Sequence, residues 1–237
     1  MKTLRILLAA WLLSSSAWAA PIDDALSAYK AGNDALALKT AEPLAASGDP
    51  RAMKLVGDLY RRGTAVMQNL ETAMSWYEKA AKAGNVQATT AMALVYLNGS
   101  LGAVNYETGS SLLRQAADAG DAEAQFNMGL LSTGAFGNPP DYTLAADWFR
   151  RAADQKHAAA RYQLGLIHLK NGDARNAFNE LQRVASLDPT NVDAKLKTAE
   201  FLLMGKDKDG AKKHVEEILL THPENVDALA LLANLNP

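Results

Sequence analysis

Residues 122–160 read AEAQFNMGLLSTGAFGNPPDYTLAADWFRRAADQKHAAA, two helix-like segments separated by a Gly/Pro-rich turn. The same plan recurs on both sides. Each copy can be anchored on the alanine that opens its first helix: Ala52, Ala88, Ala124, Ala160, Ala194 and Ala228. Successive anchors lie 36, 36, 36, 34 and 34 residues apart. Self-similarity at this period marks stacked helical hairpins, each burying its apolar face against its neighbours. Five residues after the anchor a small residue recurs, as Gly57, Ala93, Gly129, Gly165, Ala199 and Ala233. The second helix carries another, at Ala73, Gly109, Ala145, Ala177 and Ala211. Small side chains let helix axes approach closely, so the pattern predicts an all-α, right-handed α-solenoid of antiparallel helix pairs.

Three 36-residue units come first, 50–85, 86–121 and 122–157. The first carries Gly57-Asp58-Leu59-Tyr60, then Ala73-Met74-Ser75-Trp76-Tyr77-Glu78-Lys79-Ala80-Ala81 and Gly84. The third repeats these marks as Gly129-Leu130-Leu131, Asp141-Tyr142, Ala145, Trp148-Phe149 and Ala152-Ala153. In these residues the chain resembles the Sel1-like repeat, a relative of the tetratricopeptide repeat. The middle unit departs, with Gly109 in place of the helix alanine and Leu112-Leu113 in place of the aromatic pair. Glycine is about 1 kcal/mol less favourable than alanine inside a helix, so a looser second helix is expected there. Units 158–191 and 192–225 are similar to tetratricopeptide repeats. Gly165, Gly172-Asp173, Ala177 and Asp188-Pro189 carry that resemblance in one, Ala199, Ala211 and His222-Pro223 in the other. Both resemblances imply a scaffold that binds another protein, with no catalytic residues and no cofactor.

The ends differ from the repeats. Lys2 and Arg5, the apolar run 6–13 and Ala17-Trp18-Ala19 have the order of a bacterial secretory leader over 1–19, cleaved after Ala19. The expectation is a periplasmic or secreted protein with no stable membrane insertion after cleavage, because the apolar run is too short to span. Residues 20–49 read as an N-terminal capping hairpin, with Ile22, Leu26 and Tyr29 at helical spacing. Residues 226–237 read as a C-terminal capping helix, apolar enough for self-association through 226–235.

Chemistry is sparse. Removing Lys2 and Arg5 leaves 22 basic against 26 acidic residues, a net charge of −4 that argues against a nucleic-acid footprint. The chain has no cysteine, which excludes disulfides, thiolate nucleophiles and a lipidated leader. His157, His168, His214 and His222 show no metal-ligand spacing, so no metal is expected. Ser27-Ala28-Tyr29-Lys30 has the form Ser-x-x-Lys but lacks the companion elements of penicillin-interacting enzymes. Trp76 and Trp148 share a repeat position and read as packing between repeats, the rival being a glycan-stacking platform in a cell-wall protein. The chain is read as no enzyme.

What remains is a binding face. In solenoids of this kind the first helices line the concave side, and their outward positions can be followed through the repeats. Lys54, Asp58 and Arg61 give a charged entry. Thr90, Leu94 and Leu97 follow, then Phe126, Leu130 and Thr133, then Tyr162, Leu166 and Leu169, then Leu196, Glu200 and Leu203. Leu94, Phe126, Leu130, Tyr162, Leu166, Leu169, Leu196 and Leu203 are the candidate partner-binding residues. They would form an apolar stripe suited to an amphipathic helix or an extended peptide.

Overall fold

The computed structural model describes residues 19–134 and 139–235, apart from the side chains of 19–21. The leader expected over 1–19 thus lies outside the described residues, the backbone of Ala19 excepted. Everything described is helix and connection. The chain divides between Asp121 and Ala122 into two compact units. Unit one contains three hairpins: α1 (Ala19–Lys30) with α2 (Asp34–Ala46), α3 (Pro50–Arg62) with α4 (Leu70–Lys82), and α5 (Val86–Leu97) with α6 (Tyr106–Asp118). Unit two contains α7 (Ala122–Ser132) with α8 (Tyr142–Asp154), α9 (Ala158–Lys170) with α10 (Ala174–Leu187), α11 (Val192–Met204) with α12 (Lys208–Thr221), and the single α13 (Val226–Leu235). The fold is all-α, a solenoid of antiparallel helix pairs.

The period of the anchors has a backbone cause. Three residues before an anchor stands a side chain that caps the helix. Asp49 accepts the Ala52 N–H at 3.1 Å, Asn85 that of Ala88 at 2.9 Å, Asn191 that of Ala194 at 2.9 Å and Asn225 that of Ala228 at 2.8 Å. At Ala160 the cap is a histidine: His157 Nδ1 accepts at 3.1 Å. Each such cap satisfies an otherwise unpaired donor and is worth about 1 kcal/mol. All six anchor alanines are buried, so one short stretch fixes both helix start and packing.

The small residue five positions after the anchor decides how closely the helices pair. A Cβ added to Gly57 would meet the Tyr77 ring at 2.6 Å, and one on Gly129 the Phe149 ring at 2.5 Å. On Gly165 it would stand 3.2 Å from Leu181. In the 86–121 hairpin the arrangement is exchanged. Ala93 stands on the first helix and Gly109 on the second, and Leu97 occupies the space, 2.7 Å from where a Gly109 Cβ would be. α6 runs unbroken through Gly109, which is the notch that Leu97 fills.

Connections follow the same logic. The amide of each second-helix cap returns to a carbonyl eight residues after the anchor: Asn69 to Tyr60 at 3.0 Å, Asn105 to Tyr96 at 2.9 Å, Asp173 to His168 at 2.9 Å, Asp207 to Leu202 at 2.8 Å. The 36-residue and 34-residue repeats therefore close on the same bond. Left-handed residues end the turns, Gly84 at φ +90° and Gly172 at +76° among them. Two lysines hold such positions. Lys156 (φ 66°) stands where Gly84 stands two repeats earlier, and Lys206 (φ 65°) follows a Gly205 that comes one residue too soon.

In unit one, α3 carries charge into the interior. Asp58 is only 5% exposed; it pairs with Lys54 at 2.7 Å and accepts the Tyr77 hydroxyl proton at 2.8 Å. Arg61 Nε in turn donates to the Tyr77 oxygen at 3.2 Å. Burial and the Asp58 carboxylate push the Tyr77 phenol well above its ordinary value. Asp34 is likewise buried, paired with Arg62 at 3.4 Å and accepting from the Thr64 hydroxyl.

Three outcomes are expected. Gly129→Ala will lower the urea midpoint, since overpacking against Phe149 of about 1–3 kcal/mol outweighs the helix-propensity gain. Lys156→Gly and Lys206→Gly will each raise it, by about 0.5–1 kcal/mol, by relieving left-handed strain. The third concerns alkali. Below the ordinary phenol value of 10.0 the Tyr77 proton is bound in folded and unfolded chains alike. Above it the unfolded chain loses that proton first, so stability falls as pH rises. Between about pH 9 and about pH 11 the fall will be shallower in Tyr77→Phe than in the parent, read from urea midpoints at each pH.

Candidate binding face

Of the charged entry expected at Lys54, Asp58 and Arg61, Asp58 is buried, Lys54 half-buried and Arg61 exposed. Asp58 is buried and spends both oxygens on Lys54 and Tyr77, so this end offers a structural ion network. Thr90 is also buried and donates to Asp121 at 2.8 Å, while Leu97 lies under Gly109. Leu94 is the half-buried remainder of the stripe in unit one.

Unit two carries the larger part. Phe126 and Leu130 on α7, Tyr162, Leu166 and Leu169 on α9, and Leu203 on α11 are half-buried at matching positions of successive first helices. Leu196 is different. It is 6% exposed and sits in the core with Ala199, Val215 and Ile218, so it supports the face from beneath and is corrected from the binding set. Phe126 and Leu130 pack on the core of Phe149, Leu164 and Ile167. The Phe126 ring stacks on His157 with centroids 4.7 Å apart and tilts over Phe149 at 5.8 Å. One side of each residue thus belongs to the interior, and the other remains available.

Polar groups border this floor. Burial raises the Tyr162 phenol, with the charges of Asp193, Lys197 and Glu200 close enough to act on it. Lys197 pairs with Glu200 at 2.8 Å, and that bond raises its ammonium value. His157 has a role that its spacing from other histidines concealed. Since Nδ1 accepts the Ala160 N–H, the ring proton lies on Nε2, which faces Glu123 Oε2 at 3.1 Å. That hydrogen bond holds the Glu123 carboxyl below its ordinary value. The signal that could have found it was its place three residues before an anchor alanine.

What the arrangement offers is shape and apolar contact. Among the described residues, no group of three or more His, Asp or Glu side chains could hold a metal ion. Trp148 is 4% exposed with the Arg151 guanidinium 4.5 Å over its ring, and Trp76 is half-buried with Lys79 at 4.3 Å. Neither ring stands open as a sugar platform. Also among the described residues, no helix is long and apolar enough to cross a membrane.

Residues 50–85, 86–121 and 122–157 match the Sel1 repeat family, and residues 168–235 match a tetratricopeptide repeat family. No curated protein sequence matches the chain. Among solved structures, the chain is similar to a Sel1 repeat protein from Oxalobacter formigenes, with TM-score 0.73 and 26% identity over 87% of this chain and 86% of that one. It shares its fold with Pseudomonas aeruginosa PilF, with TM-score 0.63 and 15% identity over 93% and 98% of the two chains. It does so too with PilW, a type IV pilus biogenesis factor, with TM-score 0.55 and 16% identity over 90% and 96%. The chain thus carries three Sel1 repeats leading into a tetratricopeptide-repeat segment, on an all-helical repeat fold.

Proposed function

We propose that the chain is a non-enzymatic adaptor of the bacterial cell envelope that holds a segment of a partner protein on the apolar face of α7, α9 and α11. Repeats of these families generally mediate binding to other proteins. The observation that carries the finer reading is the register of half-exposed apolar side chains on successive first helices: Phe126 and Leu130, then Tyr162, Leu166 and Leu169, then Leu203. An amphipathic helix or extended peptide with apolar anchors fits such a floor, and the Lys197–Glu200 edge would fix its direction. Delivery to the periplasm rests on the leader-like order of residues 1–19.

A second reading has its own observation. Val226 is 76% exposed, and Leu229, Ala230 and Ala233 are exposed on the same face of α13 at i+3, i+4 and i+7. In the repeats before it, the position of Ala233 is buried beneath a second helix. Pairing of two copies through α13 would cover that face. Sedimentation of the full chain beside Leu229→Glu separates a dimer that the charge dissociates from a monomer unaffected by it.

For the first reading, a photo-crosslinkable residue replaces Leu130 or Leu166, with exposed Glu78 as control. Both face positions are expected to trap one discrete protein in cells and Glu78 none. Tyr162→Glu, folded by circular dichroism, should weaken that capture at least about tenfold, the effect of losing one interface anchor. Undiminished capture by Tyr162→Glu would remove the face from consideration.

A further inference from the structure

Unit two has a second opening, polar where the face is apolar. A cavity of about 330 Å³ lies among α8, α9 and α10, at the small end of the range for ligand pockets. One arginine reaches it from each helix: Arg150, Arg161 and Arg183. The acids on its wall are Asp154 and Glu180, and His168 and Asn176 complete its polar lining.

The three guanidinium groups are not alike. Arg161 is the fixed one, its side chain 11% exposed. It donates to Glu180 at 2.8 Å and to the Ala153 carbonyl, and its buried Nε has no partner. Arg183 shares the same Glu180, at 3.6 Å. Arg150 is held by Asp147, three residues earlier on its own helix and outside the cavity wall. The Arg150–Asp147 pair is exposed, and such pairs contribute about 0–1 kcal/mol; Arg183 is itself 65% exposed and reaches Glu180 only at 3.6 Å, so neither arginine is kept from a better acceptor. Three guanidinium groups thus meet at one cavity whose own wall carries two carboxylates, the third acid, Asp147, standing outside it on Arg150.

We propose that this cavity binds a carboxylate of an acidic peptide, with Arg150 and Arg183 closing on it from α8 and α10 above the fixed Arg161–Glu180 pair. A planar guanidinium donates two parallel bonds to a carboxylate, which is the geometry two opposed arginines can supply. None of the apolar face residues lines the cavity, so the two sites stand or fall separately.

The test is calorimetric titration of the full chain. The probe is an acetylated, amidated peptide of alternating aspartate and glycine; its asparagine counterpart is the control, and inorganic phosphate is the small-anion arm. The aspartate peptide is expected to bind, more weakly as salt rises, and the asparagine peptide not at all. Arg150→Gln with Arg183→Gln should weaken binding at least tenfold while the circular dichroism spectrum and melting temperature hold, since both positions are exposed. Tyr162→Glu should leave it unchanged. Equal binding of the two peptides, or full binding by the double variant, overturns the proposal. Tighter binding of phosphate than of the aspartate peptide overturns the carboxylate assignment.

Discussion

The hairpins that carry Gly57, Gly109, Gly129 and Gly165 are each held at one place by a side chain that is nearly absent. Where Gly57 meets Tyr77 and Gly129 meets Phe149, the ring lies where a methyl group would otherwise be. This contact lets two helix axes come close enough for the rest of the apolar stripe to interdigitate, and buried dispersion contacts fall off steeply with separation. The constraint belongs to the pair. In the 86–121 hairpin, glycine and alanine have exchanged helices, and Leu97 enters from the first helix where an aromatic ring enters from the second in its neighbours. What must be preserved is one notch and one large residue to fill it.

Because the packing and the proposed binding face draw on the same first helices, that face is not independent of the interior. Phe126 touches Phe149 and His157 on one side, and His157 caps α9 through Ala160. Helix initiation, core packing and the available surface of that ring are thus joined within one contact group. The polar cavity is built differently. Its outer arginines stand on second helices and take no part in the core, so it can change without disturbing the stack.

The architecture was legible in the sequence because it repeats: the anchor alanines and small residues recur at a period no other architecture would impose, and the buried anchors follow from it. Three features were not legible, each for a physical reason. The Gly109 exchange reads as a defect when the second helix is considered alone, since its compensation lies at Leu97. The exposure of the stripe depends on how consecutive hairpins rotate, which leaves Leu196 in the core while Leu203, on the same helix, is half-exposed. The arginine cavity joins residues about thirty positions apart on three helices, none of which forms a motif with its chain neighbours.

The bond that returns each second-helix cap to the end of the first helix has a consequence for how such chains diversify. In unit one it pinches the chain at Tyr60 and Asn69, and again at Tyr96 and Asn105, and the segments closed between those points are longer than in unit two's last repeats. In the 34-residue repeats the same bond spans only His168 to Asp173 or Leu202 to Asp207. A lineage can therefore lengthen, shorten or rewrite these loops while the hairpins on either side keep their register. Met67, Leu101 and Val104 already stand exposed on two of them. The stack behaves as a spine from which a replaceable fringe is displayed, and novelty can accumulate along that fringe at little thermodynamic risk.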